Sequence, residues 1–105
     1  MIDSLAKNDP MMQKLQRLGG WDLAHFVANA FLADDKKEIP FTELRLKTLM
    51  AFSEVYGLDE TTPKFESLAE ILKEGGVIRY TGELSSLTPI EMTDFGRNYF
   101  LQYQR

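Results

Sequence analysis

Residues 61–99, TTPKFESLAEILKEGGVIRYTGELSSLTPIEMTDFGRNY, decide how the rest of this 105-residue chain is read. Thr62 before Pro63 predicts a helix start: a threonine hydroxyl can accept from a free backbone N–H, and proline at the first helical position loses nothing by lacking its own. Phe65, Leu68, Ala69 and Leu72 then fall at i, i+3, i+4 and i+7, one apolar stripe of a 3.6-residue period. Gly75 and Gly76 stop that helix, because glycine takes the left-handed C-terminal conformation without a Cβ penalty. A hairpin follows. Val77, Ile78, Tyr80 and Thr81 are β-formers, residues 82–87 form a polar turn, and residues 88–92 return as a second strand. Pro89 places that strand on an edge or near its start, since it cannot donate a ladder hydrogen bond. Thr93 caps a last helix in which Phe95, Tyr99 and Tyr103 recur every four residues. Gly96 weakens that helix by about 1 kcal/mol relative to alanine, so a neighbouring element is expected to approach closely there.

Outward toward the N-terminus, residues 1–8 have no firm period and are expected to fray. Asp9 with Pro10 is a second cap-plus-proline start, opening a short helix that puts Met11, Leu15 and Leu18 on one face. Gly19 and Gly20 end or kink it. Leu23, Phe26, Val27, Ala30 and Phe31 carry a helical period from Trp21 to Asp34; whether one kinked helix or two spans residues 10–34 stays open at this point. A charged loop follows, then residues 39–41 as a short extra strand. Thr42 would cap a longer helix through Leu46, Leu49, Met50, Phe52, Val55 and Tyr56, which stops at Gly57. The turn over residues 57–63 is longer and more acidic than the usual tight connection between two such helices.

Length and composition bound the class. One domain over residues 1–105 is expected, with 44% hydrophobic and 27% charged residues, an ordinary globular balance. No run approaches the roughly 18 apolar residues of a membrane span, and the first ten residues lack the basic and apolar regions of a signal peptide. The expected location is therefore cytoplasmic, with no membrane partner. With no cysteine there is no disulfide, thiolate nucleophile or cysteine metal site. The formal net charge is −4. Its most acidic segment is residues 57–76, where Lys64 and Lys73 face Asp59, Glu60, Glu66, Glu70 and Glu74.

The C-terminal part, residues 61–105, resembles winged helix-turn-helix regulators of bacteria and archaea. Their recognition helix, wing and last helix follow a leucine-rich helix, a Gly-Leu-Ile-like strand start, then Leu/Val, Thr, an acid, any residue, Gly and Arg. Leu68, Leu72, Gly76, Val77, Ile78, Thr93, Asp94, Gly96 and Arg97 match that pattern. The resemblance implies a mostly α fold with a small β-hairpin: three or four helices, the wing hairpin and a C-terminal helix.

Enzyme chemistry is not expected. His25 is the single histidine and lies in the most apolar helix, where it reads as packed or surface; with Asp22 it still makes no metal site. No G-x-S-x-G, Walker A, G-x-G-x-x-G or H-E-x-x-H pattern occurs, and the paired glycines read as helix stops. Acid pairs such as Asp34 with Asp35 and Asp59 with Glu60 lie in loops as solvated charge. No catalytic residue, cofactor or metal is assigned.

Two binding readings remain. The resemblance implies DNA recognition through Lys64, Ser67, Lys73 and Arg79, helped by Lys36 and Lys37. Against it, Glu66, Glu70 and Glu74 share the exposed face of the recognition helix and Glu83 holds the wing tip. Carboxylates there would face a phosphate array with one charge per roughly 1.7 Å. Lys36, Lys37, Arg45 and Lys47 form the one basic cluster, balanced by Asp35, Glu38 and Glu43. The leading expectation is a non-enzymatic adaptor or regulatory subunit, a homodimer by fold analogy, that works through protein contacts. The large rings supply surface for this, and Trp21, Tyr80, Phe100 and Leu101 are the candidate contacts.

Overall fold

The computed structural model describes residues 9–33, 35–60 and 62–102. The expected fraying of residues 1–8, the helix end at Asp34 and the Tyr103 position lie outside that range. Among the described residues the chain is mostly helical, with five helices and a three-stranded antiparallel sheet.

The first helix, α1 (Pro10–Leu18), starts where Asp9 accepts a hydrogen bond from the Met12 N–H at 3.1 Å, and Pro10 opens the first turn. It ends at Gly19, whose φ of 77° is left-handed. The Gly20 N–H then closes back on the Leu15 carbonyl at 2.8 Å. A chain that turns through this conformation cannot continue a helix, so α2 (Trp21–Ala33) is a separate element and not the far side of a kink. Leu23, Ala24, Val27, Ala28 and Phe31 are its buried face.

β1 (Glu38–Pro40) leads directly into α3 (Phe41–Tyr56). Thr42 does not cap α3. The Phe41 and Thr42 N–H groups instead donate to the carbonyls of Thr88 and Ser86, at 2.9 and 3.0 Å. Backbone from the hairpin thus satisfies donors that a side chain would otherwise take. Gly57, at φ 78°, ends the helix. The predicted Thr62–Pro63 start is displaced as well: the Thr62 hydroxyl accepts from the Asp59 N–H at 3.1 Å, closing a turn within the connection. α4 (Phe65–Glu74) begins three residues after Thr62, with no side-chain cap. Its buried Phe65, Leu68, Ala69 and Leu72 are the predicted stripe.

The left-handed residue after α4 is Gly76, at φ 81°, while Gly75 stays right-handed. β2 (Ile78–Arg79) and β3 (Pro89–Met92) form the hairpin, and the sheet order is β1-β3-β2. Ile39 pairs with Ile90 and Ile78 with Met92, all four side chains buried. Thr93 caps α5 (Asp94–Leu101) by accepting from the Gly96 N–H at 2.9 Å. The expected close approach at Gly96 is present: a Cβ there would lie 2.3 Å from the Val77 carbonyl oxygen.

That contact also decides which face of α5 turns inward. With Gly96 against Val77, the side chains three and four positions on, Tyr99 and Phe100, are buried at 7% and 0% exposure. Phe95 lies one position off and is exposed. The buried stripe is therefore Gly96, Tyr99 and Phe100, and not the four-residue repeat starting at Phe95. Tyr99 reaches back from α5 and donates its O–H to the Asp9 carboxylate. One aspartate thereby caps α1 and ties down α5.

Candidate binding surface

The face formed by α4 and the hairpin holds most of the bases proposed for nucleic acid. Lys64 is exposed at the start of α4, with Ser67 half-buried one turn along. At the other end the Lys73 ammonium sits 4.2 Å from the centroid of the Tyr80 ring, a cation held against an aromatic face. Arg79 stands opposite Glu91 in the β2–β3 register and pairs with it. Lys36 lies 3.6 Å from Glu43, which also holds Lys47 at 3.5 Å. Lys37 and Arg79 do come together, in a cleft of about 290 Å³ beside the sheet that also contains Arg97. Asp35, Glu91 and Asp94 line the same cleft, with Asp35 at 3.5 Å from Arg97. The six candidates therefore form no single basic surface, and three of them are engaged by carboxylates or by a ring.

Between α4 and the hairpin loop runs a larger open cleft of about 720 Å³. Glu66, Glu70 and Glu74 line it at successive i, i+4 positions of α4, and Glu83 faces it from the loop. Lys73 is the one base in its lining. Of these four glutamates, Glu74 has a counter-ion, Lys14 at 3.1 Å. Tyr80 forms part of the wall, and its side chain is only 8% exposed. Burial, and then the Glu70 carboxylate, raise the phenol above its usual pKa, so its proton stays on through the neutral range. The loop opposite is fixed by Thr88, whose hydroxyl accepts from the Ser85 N–H at 2.9 Å.

The four residues proposed as protein contacts separate. Phe100 is fully buried and can offer no surface. It fell off the predicted α5 stripe only because that stripe was taken from Phe95, when Gly96 sets the inward face. Trp21 is half-buried and spent largely within the molecule, edge-on to His25 at 4.7 Å and tilted over Phe100 at 6.0 Å. Tyr80 is a cleft wall rather than a protruding contact. Leu101 alone is exposed, at the end of α5.

A different apolar surface emerges on α3. Leu46 and Met50, four residues apart, turn away from the buried Phe41, Leu44 and Thr48, while Leu49 between them packs against the edge of the core. Leu46 and Met50 are 58% and 56% exposed. The solvent side of α3 thus carries two large apolar side chains among its polar ones. The sequence reading ran this helix through Leu46, Leu49, Met50, Phe52, Val55 and Tyr56 without assigning them a face. The signal it passed over was that Leu46 and Met50 fall on the opposite side of the helix from Leu44 and Thr48.

His25 packs between Trp21 and Phe100, 5.0 Å from the latter, and burial lowers its pKa below 6.5, with Asp22 acting weakly the other way. Among the described residues no three of His, Asp and Glu converge closely enough to hold a metal ion. Nor is any described helix long and apolar enough to cross a membrane. Comparison with protein-family models, curated proteins and solved structures finds no match to the chain.

Proposed function

We propose that this chain is a winged-helix-like binding module that acts through protein contacts rather than by reading DNA. The order α2, β1, α3, α4, hairpin, α5, with β1 and β2 flanking β3, supports the winged-helix reading. In that architecture α4 is the recognition helix and the hairpin is the wing.

The observation that carries the functional reading is the charge on this face. Glu66, Glu70, Glu74 and Glu83 surround the cleft that a phosphate backbone would have to approach, against Lys73 alone. Arg79, the base of the wing, is paired with Glu91. Phosphate neutralisation supplies most non-specific DNA affinity, and this surface offers little of it. Protein contact is supported further by the apolar outer face of α3, which supplies the kind of surface that protein interfaces bury.

Titration of labelled mixed-sequence duplex DNA, followed by fluorescence anisotropy, tests the proposal. The expected result is no binding at micromolar protein in about 50 mM salt. Binding that weakens steeply toward about 200 mM salt, and that is lost on replacing Lys64 and Lys73 by alanine, would establish the DNA-regulator reading instead.

A further inference from the structure

We propose that the cleft between α4 and the hairpin binds an extended basic peptide segment of a protein partner, with arginine or lysine at alternate positions. This rests on the protein-contact reading and names the chemistry of the partner.

The spacing of the acids is the first argument. Glu66, Glu70 and Glu74 repeat every four residues, so successive carboxylates are about 6 Å apart along the helix. An extended peptide advances about 3.3 Å per residue, and its same-side side chains recur at about 6.6 Å. A strand-like segment lying along α4 therefore meets one glutamate with every second side chain. Three like charges on one helical row repel each other and weaken the isolated helix. Lys14 pairs with Glu74, but neither Glu66 nor Glu70 has an ion-pair partner among the described residues, so the fold relieves that repulsion at one end of the row only. An incoming row of cations would relieve the rest.

Tyr80 supplies a second, separate argument. Its ring is enclosed, yet its hydroxyl has no hydrogen-bond partner among the described residues and is not among the fully buried unpaired atoms. The phenol therefore opens onto the cleft that it walls, free to bond a peptide carbonyl or amide. Lys73 already covers the ring face, 4.2 Å from its centroid, so the hydroxyl and not the ring is what Tyr80 offers a ligand. A volume of about 720 Å³ suits several peptide residues and not a lone ion. The acids are too dispersed for a metal: no metal-holding group of three forms among the described residues.

The test uses two fluorescein-labelled peptides of equal composition, Arg-Ser-Arg-Ser-Arg-Ser-Arg-Ser and Arg-Arg-Arg-Arg-Ser-Ser-Ser-Ser, titrated with the full chain in about 50 mM salt. The alternating peptide should bind, and more tightly than the clustered one. Glu66→Gln with Glu70→Gln should weaken it about tenfold. Tyr80→Phe, which keeps the ring, should weaken it a few-fold. Asp59→Asn with Glu60→Gln makes the same change of charge away from the cleft and should leave affinity unchanged. Equal loss in both double variants would reduce the effect to bulk charge and overturn the site, as would no binding of the alternating peptide. Equal affinity for the two peptides would overturn the strand-like register. Any of these outcomes leaves the protein-contact reading standing or falling separately, on the DNA titration.

Discussion

At the scale of single residues, Gly96 decides how α5 seats on the rest of the molecule. Its missing Cβ lets α5 rest on the backbone of Val77, and that contact selects Tyr99 and Phe100 as the buried pair. Gly96→Ala gains helix propensity of about 1 kcal/mol but forces the Val77 carbonyl and α5 apart. A net loss on the order of 2 kcal/mol is expected by urea denaturation. Stability equal to wild type would mean that α5 does not seat as described. The need for closeness at this position was legible in the sequence, because a glycine inside a capped helix costs stability without a packing reason. Its consequence for Phe95 and Phe100 was not, since periodicity gives a stripe but not which side of it turns inward. His25 carries a second prediction. Burial lowers its pKa, so between that value and about 6.5 the unfolded chain binds more protons than the folded one. The contribution is complete above 6.5 and is lost as pH falls through the window. The stability difference between wild type and His25→Gln should therefore shrink from pH 7.5 to pH 5.5. A difference that stays constant would show that His25 is not held in its neutral form.

At the scale of elements, the caps that the sequence announced divide by whether another part of the chain competes for them. Asp9 and Thr93 cap α1 and α5 as their neighbours predict. Thr42 loses to hairpin carbonyls, and Thr62 loses to a turn closed on Asp59. These competing partners lie elsewhere in the fold or inside a loop whose geometry no propensity fixes. The strands were legible to within a residue or two because β-formers, glycines and a proline bracket them. Asp9 illustrates how a local signal acquires a long-range role, since its carboxylate both caps α1 and receives the Tyr99 hydroxyl. Asp9→Ala should lose the cap, about 1 kcal/mol, together with the bond to Tyr99. Tyr99→Phe should lose that bond and keep the ring. A double-mutant cycle on thermal or urea unfolding should return a coupling of about 1 kcal/mol between the two. Strict additivity would mean that α1 and α5 are not joined through this pair.

At the scale of the whole molecule, the net charge of −4 is distributed unevenly. Bases beside the sheet are met by Asp35, Glu91 and Asp94, whereas the α4 side of the hairpin keeps a surplus of glutamates. The acidic character of α4 could be read directly from the sequence. The cleft could not, because it needs Glu83 and Tyr80 brought against α4 by the hairpin. The outer face of α3 was hidden for a similar reason: an apolar residue announces burial somewhere, and only the fold tells whether the chain itself provides it. The central claim is that the α4 and hairpin surface receives a cationic protein segment and not nucleic acid. Amide shift mapping in a ¹H–¹⁵N correlation spectrum tests it most directly, with the alternating arginine peptide and duplex DNA added in turn to the same labelled sample. The account predicts that the peptide shifts the amides of residues 66–74 and 80–84 and that DNA leaves them in place. Shifts along α4 and the hairpin on adding DNA, or peptide-induced shifts confined to other surfaces, would contradict it.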